Sequence, residues 1–317
     1  MLTDAHWLAQ YLNKPDLRII DCRYVLGKPS AGKALYLEGH IPGAIHLDVD
    51  HDLSGKQGPG RHPLPKAIDF STTMSNAGVD QDTTVIAYDD MGGAWSARLW
   101  WLLRYFGHEK VFILNGGWLK WIAENNEVTK VVPHFKPRSF KAVPHTDWIV
   151  SKEEVQRNLE NKDCLLLDAR APERYRGEIH QRASARYSVG LHERNLPSEQ
   201  SEREGEAPPA LPVEGALPAP IIEPLDQQAG HIPGAKNAPF AENVTQPNKE
   251  FKSLEELKEK FKTLGACQAK EIICYCGSGV TACNNIFALK MIGKDAKLYE
   301  GSWSDWSADP NLPVERP

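Results

Sequence analysis

A chain of 317 residues is long enough for about two domains of roughly 100–150 residues each. Its net charge of −5 argues against nucleic acid and an anionic membrane surface as partners, and no run approaches the roughly 20 apolar residues of a transmembrane helix. The composition, 41% hydrophobic and 25% charged, is that of an ordinary globular protein, and six cysteines are few for a disulfide scaffold of this size.

The opening "MLTDAHWLAQYL" lacks a basic n-region and a following apolar h-region, so no signal peptide is expected and the expected compartment is a reducing cytoplasm. "IIDCR" (19–23) is an apolar run ending in Asp-x-Arg, and "GHIPGA" follows at 39–44. "TVIAY" and "KVFIL" are continuous apolar runs suited to strands buried on both faces. Between them "AWSARLWWLLRYFG" has helical apolar spacing and ends at Gly, a common helix stop. "NGGWLKW" (115–121) comes next, and then a stretch rich in Pro and basic residues, read as a linker over 131–146.

The same blocks then recur in the same order. "SKEEVQRNLE" opens with a capping box, Ser with Glu three residues later. "LLLDAR" (165–170), "GHIPGA" (230–235), "IICYCG" (272–277) and "EGSWSDW" (300–306) match "IIDCR", the first "GHIPGA", "VIAYDD" (85–90) and "NGGWLKW". The chain therefore reads as two copies of one domain, 1–130 and 147–317. Alternating strands and helices predict an α/β fold, each copy a mostly parallel sheet flanked by helices. One segment breaks the match. The excess falls at 179–221, with six of the 23 prolines and a single aromatic, and a disordered or loosely packed surface insertion is expected there.

In open α/β sheets ligands sit where strands end and helices begin, and Cys276 occupies such a point in "ICYCGSGVTACNN" (273–285). A thiolate is the reactive form of cysteine and is favoured at a helix N-terminus. Gly277, Ser278 and Gly279 let the backbone curl around the sulfur, with Val280 and Thr281 leading into a helix, so several N–H groups could face one sulfur. Cys274 and Cys283 are read as bystanders. A zinc site is disfavoured because the spacing lacks paired C-x-x-C and no histidine is near. A phosphatase loop would need an arginine six residues after the cysteine, where Ala282 stands.

These motifs together resemble the two-domain rhodanese family, over nearly the whole chain except 179–221. The resemblance implies two tandem rhodanese-like domains, the first catalytically silent because Asp89 stands where the second has Cys276. It implies a sulfurtransferase in which Cys276 takes sulfane sulfur from a small anionic donor and passes it to an acceptor such as cyanide, a small thiol or a thioredoxin-like protein, without cofactor or metal. The loop "CGSGVT" is similar to that of 3-mercaptopyruvate sulfurtransferases, with thiosulfate as the alternative donor. A persulfide carrier without turnover is the alternative of another class. Arg174 in "APERYRGE" resembles the family's substrate arginine, with Arg176 as the fallback, and Leu225 stands where the mercaptopyruvate enzymes have a second arginine. Ser278 resembles a proton-relaying serine whose partner would be His40, although residues 24–37 contain no acid to complete that relay. His231 repeats His40, which favours a structural turn histidine; Asp21 and Asp168, each two residues before an arginine, read as architectural ion pairs.

Overall fold

Continuous apolar runs become the strands of two separate sheets. The computed structural model describes residues 1–28, 30–178 and 226–316, so the expected excursion at 179–221 lies outside the described residues. In the first sheet, β1 (Leu2–Thr3), β2 (Leu17–Asp21), β3 (Ala44–His46), β4 (Thr84–Tyr88) and β5 (Val111–Leu114) lie in the order β1-β5-β4-β2-β3. In the second, β6 (Ile149–Val150), β7 (Cys164–Asp168), β8 (Lys236–Asn237), β9 (Glu271–Tyr275) and β10 (Lys297–Tyr299) lie in the order β6-β10-β9-β7-β8. The two orders are the same, and the pairings within both sheets are parallel. Ile19 stands opposite Ile86 in one sheet as Leu166 stands opposite Ile273 in the other.

Helices cover the faces. The first half carries α1 (Ala5–Tyr11), α2 (Ala31–Glu38), α3 (Ala67–Asn76), α4 (Ser96–Tyr105) and α5 (Gly117–Ala123). The second carries α6 (Lys152–Asn161), α7 (Pro172–Tyr175), α8 (Leu254–Thr263), α9 (Ala282–Met291) and α10 (Ser302–Trp306). The predicted capping box starts α6: the Ser151 hydroxyl accepts from the Glu154 N–H, and the Glu154 carboxylate accepts from the Ser151 N–H. In α4 every residue but Arg104 is buried, because the helix packs against its own sheet and also against α9 of the second half, where Trp100 meets Phe287 edge-on at 4.8 Å.

The repeated motifs converge on matching polar cores. Asp21 and Arg23 form a buried ion pair at 2.6 Å; Arg23 also donates to the Gly39 carbonyl and lies over the Trp118 ring. Asp168 and Arg170 pair at the same distance, and Arg170 donates to the Gly230 carbonyl over Trp303. Asp-x-Arg, GHIPGA and Gly-x-Trp thus recur because each copy needs the same three-part contact to close its sheet. The expected linker is held down rather than loose. Phe140 is buried, and the amides of Arg138, Val143 and His145 donate to carbonyls of Ser75, Phe106 and Tyr105.

Candidate active site

The adjacent strands β4 and β2, and likewise β9 and β7, flank the point where chain order reverses in each sheet, and a loop leaves each strand end there. Beyond β9, Cys276 is 2% exposed. Its N–H donates to the Ser302 hydroxyl at 3.2 Å, and its carbonyl accepts from the Trp303 N–H at 2.9 Å. Ser302 holds a left-handed φ of 52° to do so and donates onward to the Tyr299 carbonyl. Gly279 has a φ of +78°, and a Cβ there would sit 2.5 Å from the Glu300 carbonyl oxygen, so the turn requires glycine.

The sulfur receives one amide, that of Ser278 at 3.5 Å. Among the described residues this is fewer than the several donors expected, because a thiol on a short side chain stops short of the other loop amides. The first half shows what a longer anion does in the matching loop. Asp89 follows β4 as Cys276 follows β9, and its carboxylate accepts from the N–H groups of Met91, Gly93, Trp95 and Ser96 and from the Ser96 hydroxyl, all within 3.0 Å. The corresponding positions in the second loop are Ser278, Val280, Ala282 and Cys283. Val280 is buried beside Tyr24 and Val49, and Thr281 leads into α9. Burial pushes the Cys274 thiol up, and pushes Cys283 up to about 12, keeping both protonated.

Cations gather over the loop. A Cβ on Gly277 would meet Nη2 of Arg61 at 3.0 Å and Nη2 of Arg174 at 3.1 Å. Arg174 reaches the loop from α7 and pairs with Asp226 at 2.5 Å. Arg61, from the irregular segment between β3 and α3, pairs with the other oxygen of Asp226 at 2.5 Å and donates to the Gly277 carbonyl at 3.2 Å. Leu225 lies outside the described residues, and the second guanidinium near the loop comes from the first half of the chain. The fallback, Arg176, instead pairs with Glu178 at an exposed position.

His62, next to Arg61, takes the place expected for His40. Its Nδ1 lies 2.6 Å from the Ser278 hydroxyl, and its Nε2 lies 2.8 Å from Asp50. The His62 hydrogen bond holds the Asp50 carboxyl below the usual carboxylate range. An ionised carboxylate can only accept, so Nε2 donates to Asp50 while Nδ1 faces the Ser278 hydroxyl. Tyr24 donates to Asp50 from the other side at 3.0 Å. His40 is buried elsewhere: it stacks on Tyr36, and its ring nitrogens face the carbonyls of Tyr36 and Val131. His231 repeats this by stacking on Tyr175 with Nδ1 at the Tyr175 carbonyl, which explains why the motif histidine occurs twice. A signal for His62 did exist: "GRHP" has no histidine counterpart between GHIPGA and β9 of the second copy.

The loop that carries Cys276 therefore lies against the guanidiniums of Arg61, Arg174 and Arg98 and beside a Ser-His-Asp chain. The Rhodanese-like domain profile matches residues 4–124 and 151–309. The chain is 36% identical to a probable 3-mercaptopyruvate sulfurtransferase of Pseudomonas aeruginosa, over 99% of this chain and 97% of that one. It is 31% identical to the thiosulfate sulfurtransferase of Bos taurus, over 96% and 91%. Its fold resembles the solved structure of the Escherichia coli rhodanese-fold protein SseA with a TM-score of 0.74 and 30% identity, over 96% of this chain and 98% of that one. The chain belongs to the rhodanese family of sulfurtransferases and is built from two tandem rhodanese-like domains.

Proposed function

We propose that this sulfurtransferase moves sulfane sulfur from 3-mercaptopyruvate to a thiol or cyanide through a persulfide on Cys276. The Cys276 thiolate attacks the donor's sulfur, and the bond from that sulfur to the donor's methylene carbon breaks. Its electron pair passes into the adjacent carbonyl as the enolate of pyruvate, which takes up a proton to leave as pyruvate. The acceptor then attacks the outer sulfur and returns Cys276 to the thiolate. Ser278, His62 and Asp50 hold and return the proton that this donor requires. Arg174 and Arg61 bind its carboxylate.

The hydrogen bond between His62 and Ser278 is the observation that favours this donor. A carbon leaving group needs a proton, whereas thiosulfate releases sulfite without one. Relatives named for mercaptopyruvate and for thiosulfate are both consistent with the reaction class, and thiosulfate remains the competing donor. The first domain is assigned a walling role, since Asp89 cannot relay sulfur. All six cysteines are free, in keeping with work in a reducing compartment such as the cytoplasm. No helix among the described residues is long and apolar enough to cross a membrane.

The deciding experiment gives the protein each donor with cyanide and measures pyruvate against sulfite. Faster pyruvate release supports the reading; faster sulfite release assigns thiosulfate. Release of neither, with a one-sulfur (+32 Da) adduct on Cys276 taken from another persulfide protein, assigns a carrier. Full turnover by Cys276→Ser would overturn every version.

A further inference from the structure

Two guanidiniums and one carboxylate share the mouth of the Cys276 loop. Arg61 Nη1 and Arg174 Nη2 each stand 2.5 Å from a different oxygen of Asp226. Asp226 is 9% exposed, and with both oxygens engaged it cannot swing away without giving up two charge-assisted bonds. Burial works against its charge, but Arg174 and Arg61 hold its carboxyl below the usual range, so it is ionised at neutral pH. Asp226 thus cancels one unit of the positive charge that these two arginines bring to the loop mouth; a third guanidinium, that of buried Arg98, donates to the Gly279 carbonyl farther along the loop. Among the described residues, two other acids near the loop are separately engaged. Asp50 is bonded to His62 and Tyr24. Glu300, whose carboxyl burial pushes up, accepts from the Leu64 N–H.

We propose that Asp226 is a charge filter, fitting the site to donors with one anionic group beside the transferable sulfur and disfavouring dianions. The inference rests on the donor reading above and deepens it. Beside the Asp226 carboxylate a dianion meets more repulsion than a monocarboxylate does, in a buried setting where charge is weakly screened. The same carboxylate bridges the guanidiniums and so holds them over Gly277 without a ligand.

Calorimetric titration of the full chain with pyruvate, a monoanion, and with sulfate, a dianion, tests this without turnover. Wild-type protein is expected to bind pyruvate more tightly than sulfate. Asp226→Asn, which keeps the shape and removes the charge, is expected to raise sulfate affinity relative to pyruvate by about tenfold or more. Asp226→Glu, which keeps the charge, is expected to retain the wild-type order. Wild-type protein that binds sulfate at least as tightly as pyruvate overturns the filter, as does an Asp226→Asn chain, folded by circular dichroism, with an unmoved ratio. If Asp226→Asn does not fold, the wild-type and Asp226→Glu orders decide. Binding as expected with no sulfur transfer would instead remove the donor reading and leave the filter standing.

Discussion

The His62 imidazole from the first domain lies 2.6 Å from the Ser278 hydroxyl of the second, two residues past Cys276. The proposed relay is therefore assembled only when the two domains meet. His62→Gln and Asp50→Asn are expected to lower kcat for mercaptopyruvate by about 100-fold, the range of a lost general acid–base group. Sulfite release from thiosulfate should fall far less. Steady-state assays with both donors check this, and equal losses would point to a structural role for the pair.

Arg174 lies at the loop mouth, where Gly277 faces both guanidiniums. Arg174→Gln removes one charge-assisted contact to Asp226 and, on the proposed reading, one to the donor. A drop in kcat/KM of about 10–100-fold is expected, carried mainly by KM, with alkylation of Cys276 by neutral iodoacetamide nearly unchanged.

Gly279 is the tightest backbone position in the loop, at φ +78° with the Glu300 carbonyl against its missing side chain. Gly279→Ala is expected to cost about 1–3 kcal/mol of stability and to reshape the turn around Cys276. Thermal unfolding and pyruvate release should both fall. Gly234, also at positive φ but with open space around it, supplies the comparison: Gly234→Ala is expected to lose stability alone.

Burial and the neighbouring Asp89 carboxylate push half-buried Asp90 up to about 7 from an ordinary 3.8. The folded chain thus binds this proton more tightly than the unfolded chain. The contribution of the protonated group to stability is full below about 3.8 and lost as pH rises towards about 7. Asp90→Asn is expected to stabilise the protein at pH 8 by on the order of 1–2 kcal/mol relative to wild type, with the gain vanishing near pH 4. Denaturant titrations at the two pH values read the difference, and equal gains at both would remove Asp90 as the titrating group.

The fold was legible because both copies repeat the contacts that close a sheet: Asp21 with Arg23 and Asp168 with Arg170, each beside a GHIPGA turn and a tryptophan. Cys276, Ser278 and Arg174 could be placed at one loop because loop chemistry and motif lie together in sequence. At His40 the resemblance pointed to a partner for Ser278 while the repeat at His231 pointed to a turn histidine, and the ring is indeed spent on backbone carbonyls within its own domain. His62, Asp50 and Arg61 were missed for the opposite reason. They sit in irregular chain between β3 and α3, with no periodicity to fix their direction, and meet the loop only through domain packing, 216 residues away for His62 and Ser278. Asp226 carries no signal in sequence, being a lone acid outside the repeated motifs whose two arginine partners lie 52 and 165 residues away.

One polypeptide holds two copies of the same strand-end loop, and the first is closed around the Asp89 carboxylate. That anion is encoded and permanent, whereas the negative charge proposed for the second loop comes and goes with the sulfur it carries. The pair therefore supplies an internal reference for amide hydrogen exchange. Amides of Gly93 and Trp95 should exchange slowly whether or not Cys276 carries sulfur, while those of Val280 and Ala282 slow only once the outer sulfur is in place.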